Sequence, residues 1–270
     1  MTGAETAAWG SGRLRSRVVG GLLALASLAA PAEAETLVTA TSTNTVTINS
    51  NFTGTDITVF GTIERDTATV SRARGYDVAI VLTGPAETVV TRRKERSLGI
   101  WVNRANRTYP GVPSFYAALT TVPFAELADA AVLKRLQIGT PNLRFVERVA
   151  GGTEPVADDD EFRTAFLRLK TRAGLYTDYA GGTKFIASNL FRAVVPIPAN
   201  VPVGRYHLRV ALLSAGAPLT ETAMELEVVK AGFEQEMADL SSHFPLVYGI
   251  GAVIVALFTG WIAGVVFRRD

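Results

Sequence analysis

Four consecutive acids, Asp158 to Glu161, are the densest group of oxygen donors in the chain, and clustered carboxylates are what a hard cation such as calcium takes. They fit a helix start better. Acids in a first turn satisfy free backbone donors and the helix dipole, and Asp158 with Glu161 has capping-box spacing. No calcium-loop pattern with its central glycine accompanies them, so no metal site is expected. The second concentration of charge is basic: Arg92, Arg93, Lys94 and Arg96, broken by Glu95 and followed by Arg104 and Arg107. Such a patch suits anionic lipid headgroups or an acidic partner. The plainer reading is a solvated turn between two strands.

Other chemistry finds little material. The chain has no cysteine, which removes disulfides, thiolate metal sites, thiol nucleophiles and c-type haem attachment. Of the two histidines, His207 and His243, the first falls by period two opposite Tyr206 and Leu208, toward solvent, which suits neither a triad nor a metal. No nucleophile elbow, phosphate loop or zinc-protease helix occurs, and no carboxylate pair stands out by its spacing. Gly151-Gly152 and Gly181-Gly182 read as loops. Asn51-Phe-Thr and Asn106-Arg-Thr match a glycosylation acceptor pattern short enough to arise by chance. No catalytic residue and no cofactor is expected.

The elements that must hold these residues alternate in period. Strands are expected where apolar residues fall every second position: Val46 and Ile48; Ile57, Val59 and Ile63; Tyr76, Val78, Ile80 and Leu82; Leu98, Ile100 and Val102. Each is read as half-buried, and Pro110 and Pro113 as the stop after this set. The pattern returns from Phe191 to Ile197, in Tyr206, Leu208, Val210 and Leu212, and in Met224, Leu226 and Val228, with the turn-rich Ser214 to Pro218 making the last two a hairpin. Between the sets the period is helical. Pro123 to Leu136 and Asp159 to Tyr176 place Phe124, Leu127, Ala128, Ala131 and Leu136, then Phe162, Ala165, Phe166, Leu169 and Ala173, on helix faces; a shorter helix is expected at Ser114 to Leu119. The loop Pro198 to Tyr206 resembles the corner of immunoglobulin-like sandwiches, where a tyrosine at a strand start bonds back to the preceding loop, making Tyr206 structural. The expected architecture is a mainly β, immunoglobulin-like sandwich over 35–230 with a helical insertion at about 112–183.

The two ends differ from this domain. Arg13, Arg15 and Arg17 precede an apolar run from Val18 to Ala30 and an A-x-A site, Ala32-Glu33-Ala34, the pattern of a cleavable signal peptide over 1–34. At 245–267 an uncharged aliphatic stretch is long enough to cross a bilayer, entered through an expected juxtamembrane helix at 231–244 with Pro245 as a kink. Arg268-Arg269-Asp270 follow; positive residues stay inside, so the C-terminus is expected in the cytoplasm and the domain outside. With three residues beyond the span, no cytoplasmic domain is expected. Within the span Ala252, Ala256, Gly260 and Gly264 recur every fourth position and form a candidate helix-packing face; Tyr248 and Trp261 read as interfacial anchors. With both ends and their charges set aside, 27 basic and 25 acidic residues fall to 22 of each, so a neutral domain gives no general attraction to nucleic acid.

The stretches Ser50 to Gly61, Arg92 to Asn103, Pro196 to Tyr206, Ala256 to Trp261 and Phe267 to Asp270 resemble a transmembrane family of alphaproteobacteria with one C-terminal span and a periplasmic domain. The resemblance implies a bacterial inner-membrane protein facing the periplasm, and no activity. The expected role is a non-enzymatic interaction module or accessory subunit of a membrane assembly such as a transporter, with the lipid bilayer and a membrane protein or second copy as partners. The alternative is a periplasmic enzyme or ligand-binding sensor with its site between sandwich and insertion.

Overall fold

In the computed structural model, which describes residues 35–64, 75–97, 99–232 and 241–266, period-two burial is clearest in β3 (Gly54–Glu64), where Ile57, Val59 and Ile63 point inward. β3 lies between β1 (Thr36–Thr41) and β12 (Leu190–Pro198), and β11 (Thr183–Ala187) closes this four-stranded antiparallel sheet. Phe191, Ala193, Val195 and Ile197 of β12 face the same way.

The second sheet has six strands. Their order is β10 (Tyr176–Tyr179), β7 (Tyr116–Thr120), β4 (Asp77–Thr83), β13 (Gly204–Ser214), β14 (Ala217–Lys230) and β2 (Thr45–Ile48). The β10–β7 and β14–β2 pairs are parallel and the other three antiparallel. Val78, Ile80, Leu82, Leu208, Val210 and Leu212 meet the first sheet in one core. Fully burying such side chains is worth about 1.5–3 kcal/mol each, so packing holds this cysteine-free domain together.

The opposite face of the six-stranded sheet is also covered. Ala79, Val81, Tyr116, Ala118, Ala211 and Leu213 enter a second core with residues of β6 (Ile100–Pro113), α1 (Phe124–Leu127), α2 (Ala130–Leu136) and α3 (Glu161–Arg172). The molecule is therefore mainly β, with its helices lying on the far side of the larger sheet. β4 is buried on both faces, where alternation had suggested one. Of Ser114 to Leu119, expected as a short helix, Tyr116 to Leu119 lie in β7, whose five residues are all buried. A short apolar run does not distinguish a buried strand from a buried helix, and here pairing with β4 and β10 decides.

Pro110 and Pro113, expected to stop the strand, lie within β6, which pairs only with β5 (Ala86–Ser97). Glu87 and Val89 pair with Val112 and Tyr109, so Pro110 and Gly111 together oppose one residue in a bulge. Proline needs no ladder donor there, and Gly111 takes a φ of 72° that other residues resist. The insertion also carries strands of its own: besides β7 and β10, a hairpin of β8 (Val146–Val149) and β9 (Gly152–Pro155) sits in it.

The two expected helices form with changed ends. Pro123 to Leu136 breaks at Ala128 and Asp129 into α1 and α2. α3 is shorter than Asp159 to Tyr176: Gly174 N–H bonds Thr171 O and Leu175 N–H bonds Lys170 O, turning the chain into β10. Tyr206 behaves as its loop suggested, donating from Oη to the Pro202 carbonyl at 2.6 Å. The signal-peptide segment 1–34, Leu98, most of the expected juxtamembrane helix and Arg268 to Asp270 lie outside the described residues.

Candidate functional site

Arg92, Arg93, Lys94 and Arg96 sit on strand β5 and not in a turn, and strand alternation divides them. Opposite residues of an antiparallel pair share a face. Arg93, with Ala105 opposite, lies on the inward face, in line with Tyr109 and Arg107. Its guanidinium is 2.7 Å from Glu95 and 2.7 Å from Glu161 at the start of α3. Arg107 bonds Glu147 and lies 3.4 Å from Asp160, and Phe162 presents its ring to both guanidiniums at 5.8 and 5.3 Å. These two arginines are fully used in docking the hairpin onto the insertion.

Arg92, Lys94 and Arg96 face outward, opposite Asn106, Asn103 and Trp101. All three are exposed, and no acid pairs with them among the described residues. At the hairpin tip Ile100 and Trp101 are 64% and 68% exposed. The sequence pattern had placed Ile100 on a half-buried strand, but at the tip nothing among the described residues covers it. The site is thus three unpaired cations in a row that ends on an exposed indole.

The acids at Asp158 to Glu161 diverge. Asp160 is the cap, two residues later than the spacing implied, accepting from Arg163 N–H at 2.9 Å; its carboxylate also takes the Tyr109 hydroxyl at 3.2 Å. Asp158 pairs with Lys134 at 2.5 Å, which holds its carboxyl below the usual range, and Glu161 is spent on Arg93. No group of three or more potential metal ligands converges among the described residues. His207 is exposed, 3.8 Å from Glu225.

Pattern reading missed Arg163. It is 3% exposed, bonding the carbonyls of Asp158, Pro141 and Leu143 at 2.6, 2.6 and 3.2 Å with its plane against Phe145. The buried face of α3 is accordingly rotated, and Leu169, expected inside, is 55% exposed. Between sandwich and insertion, Phe166 packs edge-on against Tyr109, Phe145 and Tyr176, at ring separations of 5.5–6.4 Å. That part of the junction is filled, while an open groove of about 580 Å³ lies between Asp77 and Pro218 of the sandwich and Ala128 and Val132 of the insertion. Beside α3 runs an open groove of about 560 Å³, lined by Thr140, Arg163, Leu167, Tyr176 and Asp178 among others.

The apolar C-terminal stretch is one helix, α4 (Pro245–Val266), of 22 residues with mean hydropathy 2.2 and no buried residue. At 1.5 Å per residue it covers about 33 Å, the thickness of a bilayer core. Thr259, the polar residue at mid-helix, returns its hydroxyl to the Val255 carbonyl at 2.8 Å. Ala252, Ala256, Gly260 and Gly264 are all exposed on it. A Cβ added at Gly260 or Gly264, as at Gly249 or Gly251, would meet nothing within 4 Å apart from the helix's own backbone, so nothing described in this chain requires those positions to be small.

A family model described as "Putative transmembrane protein (Alph_Pro_TM)" matches residues 36–269. No curated protein matches the sequence.

Proposed function

The chain belongs to that transmembrane family, alphaproteobacterial by name, and from this premise we propose that it is a non-enzymatic interaction module, an accessory subunit of a larger membrane assembly such as a transporter. In this reading 1–34 is removed on export. An immunoglobulin-like domain stands in the periplasm, α4 holds it at the inner membrane, and Arg268 and Arg269 keep the C-terminus inside. The Tyr206 bond to its own loop supports the immunoglobulin-like assignment.

The observation that carries the proposal is that two of the four open glycines on α4, Gly260 and Gly264, continue the line of Ala252 and Ala256. Glycine in a helix interior costs about 1 kcal/mol relative to alanine, and no described contact within the chain recovers it. A second helix packed along Ala252, Ala256, Gly260 and Gly264 would recover it through close backbone approach. Copurification from native membranes in mild detergent is expected to yield a partner that is lost on Gly260→Leu with Gly264→Leu. A monomer in both cases would remove the proposal, and a homodimer would convert it to a self-associating scaffold. Protease added to intact spheroplasts is expected to digest the domain; protection there would overturn the orientation.

The rival reading, a ligand-binding or catalytic site between sandwich and insertion, finds Phe166 and its aromatic neighbours filling the middle of the junction but two open grooves at its margins, one of about 580 Å³ between Asp77, Pro218 and α1–α2 and one of about 320 Å³ between Asp56, Ile197 and Tyr179.

A further inference from the structure

We propose that the tip of the β5–β6 hairpin is a foot resting on an anionic phospholipid surface, with Trp101 and Ile100 in the interfacial layer and Arg92, Lys94 and Arg96 on lipid phosphates. The order of residues along the ribbon matches the layering of a bilayer surface. The indole and the isoleucine are at the tip, and the cations follow behind it on one face. Tryptophan favours the headgroup boundary, and long basic side chains hold their charge at the phosphates while their stems lie in apolar surroundings. The hairpin keeps its two acids off this face, since Glu95 turns inward to Arg93 and Glu87 to Lys170. An acidic protein would be served by the same cations but gives no reason for an exposed indole beside Arg96 at the end of their row, with an exposed isoleucine next to it.

The root of the hairpin follows β4 at Gly84 and Pro85; Pro85 lies against Gly204, and Gly204 pairs with Val228, at the end of the six-stranded sheet where β14 finishes. From there the ribbon runs back along α3, with Glu87 on Lys170 and Arg93 on Glu161, and its tip stands free beyond the start of that helix. Residues 231–244, fourteen in number, can span at most about 50 Å, a tether on which the domain can turn this tip to the bilayer. This inference needs the membrane anchor and no partner for α4, so the two proposals fail separately.

The test uses the purified full chain in vesicles containing no other protein. Trp9→Phe and Trp261→Phe leave Trp101 as the one indole; because the chain has no cysteine, Trp101→Cys carrying an environment-sensitive dye gives a second reporter in an otherwise unaltered chain. In phosphatidylglycerol-rich vesicles Trp101 is expected to be quenched by bromine-labelled lipid and shielded from a water-soluble quencher. Arg92→Gln, Lys94→Gln and Arg96→Gln together are expected to lower the bound-to-free ratio about 100-fold, a factor of about five for each cation, with circular dichroism unchanged. Replacing the anionic lipid by phosphatidylcholine is expected to do the same. Trp101 left open to water in anionic vesicles, equal burial in phosphatidylcholine, or shielding by soluble polyglutamate but not by lipid would each overturn the proposal.

Discussion

Arg163 shows how a single residue can decide local structure without showing itself in the sequence. In Glu161-Phe-Arg-Thr-Ala-Phe-Leu-Arg-Leu-Lys170 it looks like any solvated helical arginine, because what buries it is a set of carbonyls at Pro141 and Leu143 about twenty positions away. Its planar fork bonds three carbonyls at once and its face covers Phe145, which an ammonium group does not do. Arg163→Met is therefore expected to strand those acceptors and cost about 3 kcal/mol in urea unfolding of the detergent-solubilised chain, with Arg163→Lys recovering only part. A loss below about 0.5 kcal/mol would mean that the arginine is replaceable by water. Tyr206 was legible for the opposite reason: its partner, Pro202, is four residues away in a loop whose composition announces it.

At the scale of elements, strands with one buried face were readable and strands with two were not. β3 and β12 alternate cleanly, whereas Tyr116 to Thr120 presents a continuous apolar run whose period carries no information until its neighbours are known. Two glycines separate the ways in which an element depends on a missing side chain. In β3, a Cβ at Gly61 would overlap the ring of Phe191 on the neighbouring strand; at the β6 bulge, a Cβ at Gly111 would meet nothing, and only the positive φ is at stake. Gly111→Ala is accordingly expected to cost about 1 kcal/mol, the left-handed penalty alone. Gly61→Ala is expected to cost about 3 kcal/mol, since a packed core must move, and Phe191→Leu should partly rescue it while leaving Gly111→Ala unaffected. Thermal unfolding of the four variants checks both; equal losses at the two sites would contradict the distinction.

For the whole molecule, the decisive feature is that one sheet serves two cores. Removing the insertion would uncover Ala79, Val81, Ala211 and Leu213, so the sandwich and its insertion should unfold together, although a sequence read by periods separates them. Alkali exposes this coupling. Tyr116 donates to Gln137 O and accepts from Gly139 N–H, both at 2.8 Å, and Tyr176 donates to Pro113 O at 2.5 Å. Burial, first of all, raises both phenols far above the ordinary 10.0. Because the folded pKa is the higher one, the stabilisation is complete below pH 10.0, and it drains away above that point as the unfolded chain ionises first. Burial raises Tyr109 and Tyr206 in the same direction, and at about 1.4 kcal/mol per pH unit for each phenol the four together remove about 6, a large fraction of a typical domain stability of about 5–15 kcal/mol. Circular dichroism and buried-tyrosine ionisation are expected to change in one shared transition above pH 10.0, and Tyr176→Phe to lower its slope by about a quarter. Were both phenols to ionise at their ordinary pH with the strands intact, the second core would be open to water, and the case for a single cooperative body built on one sheet would fall with it.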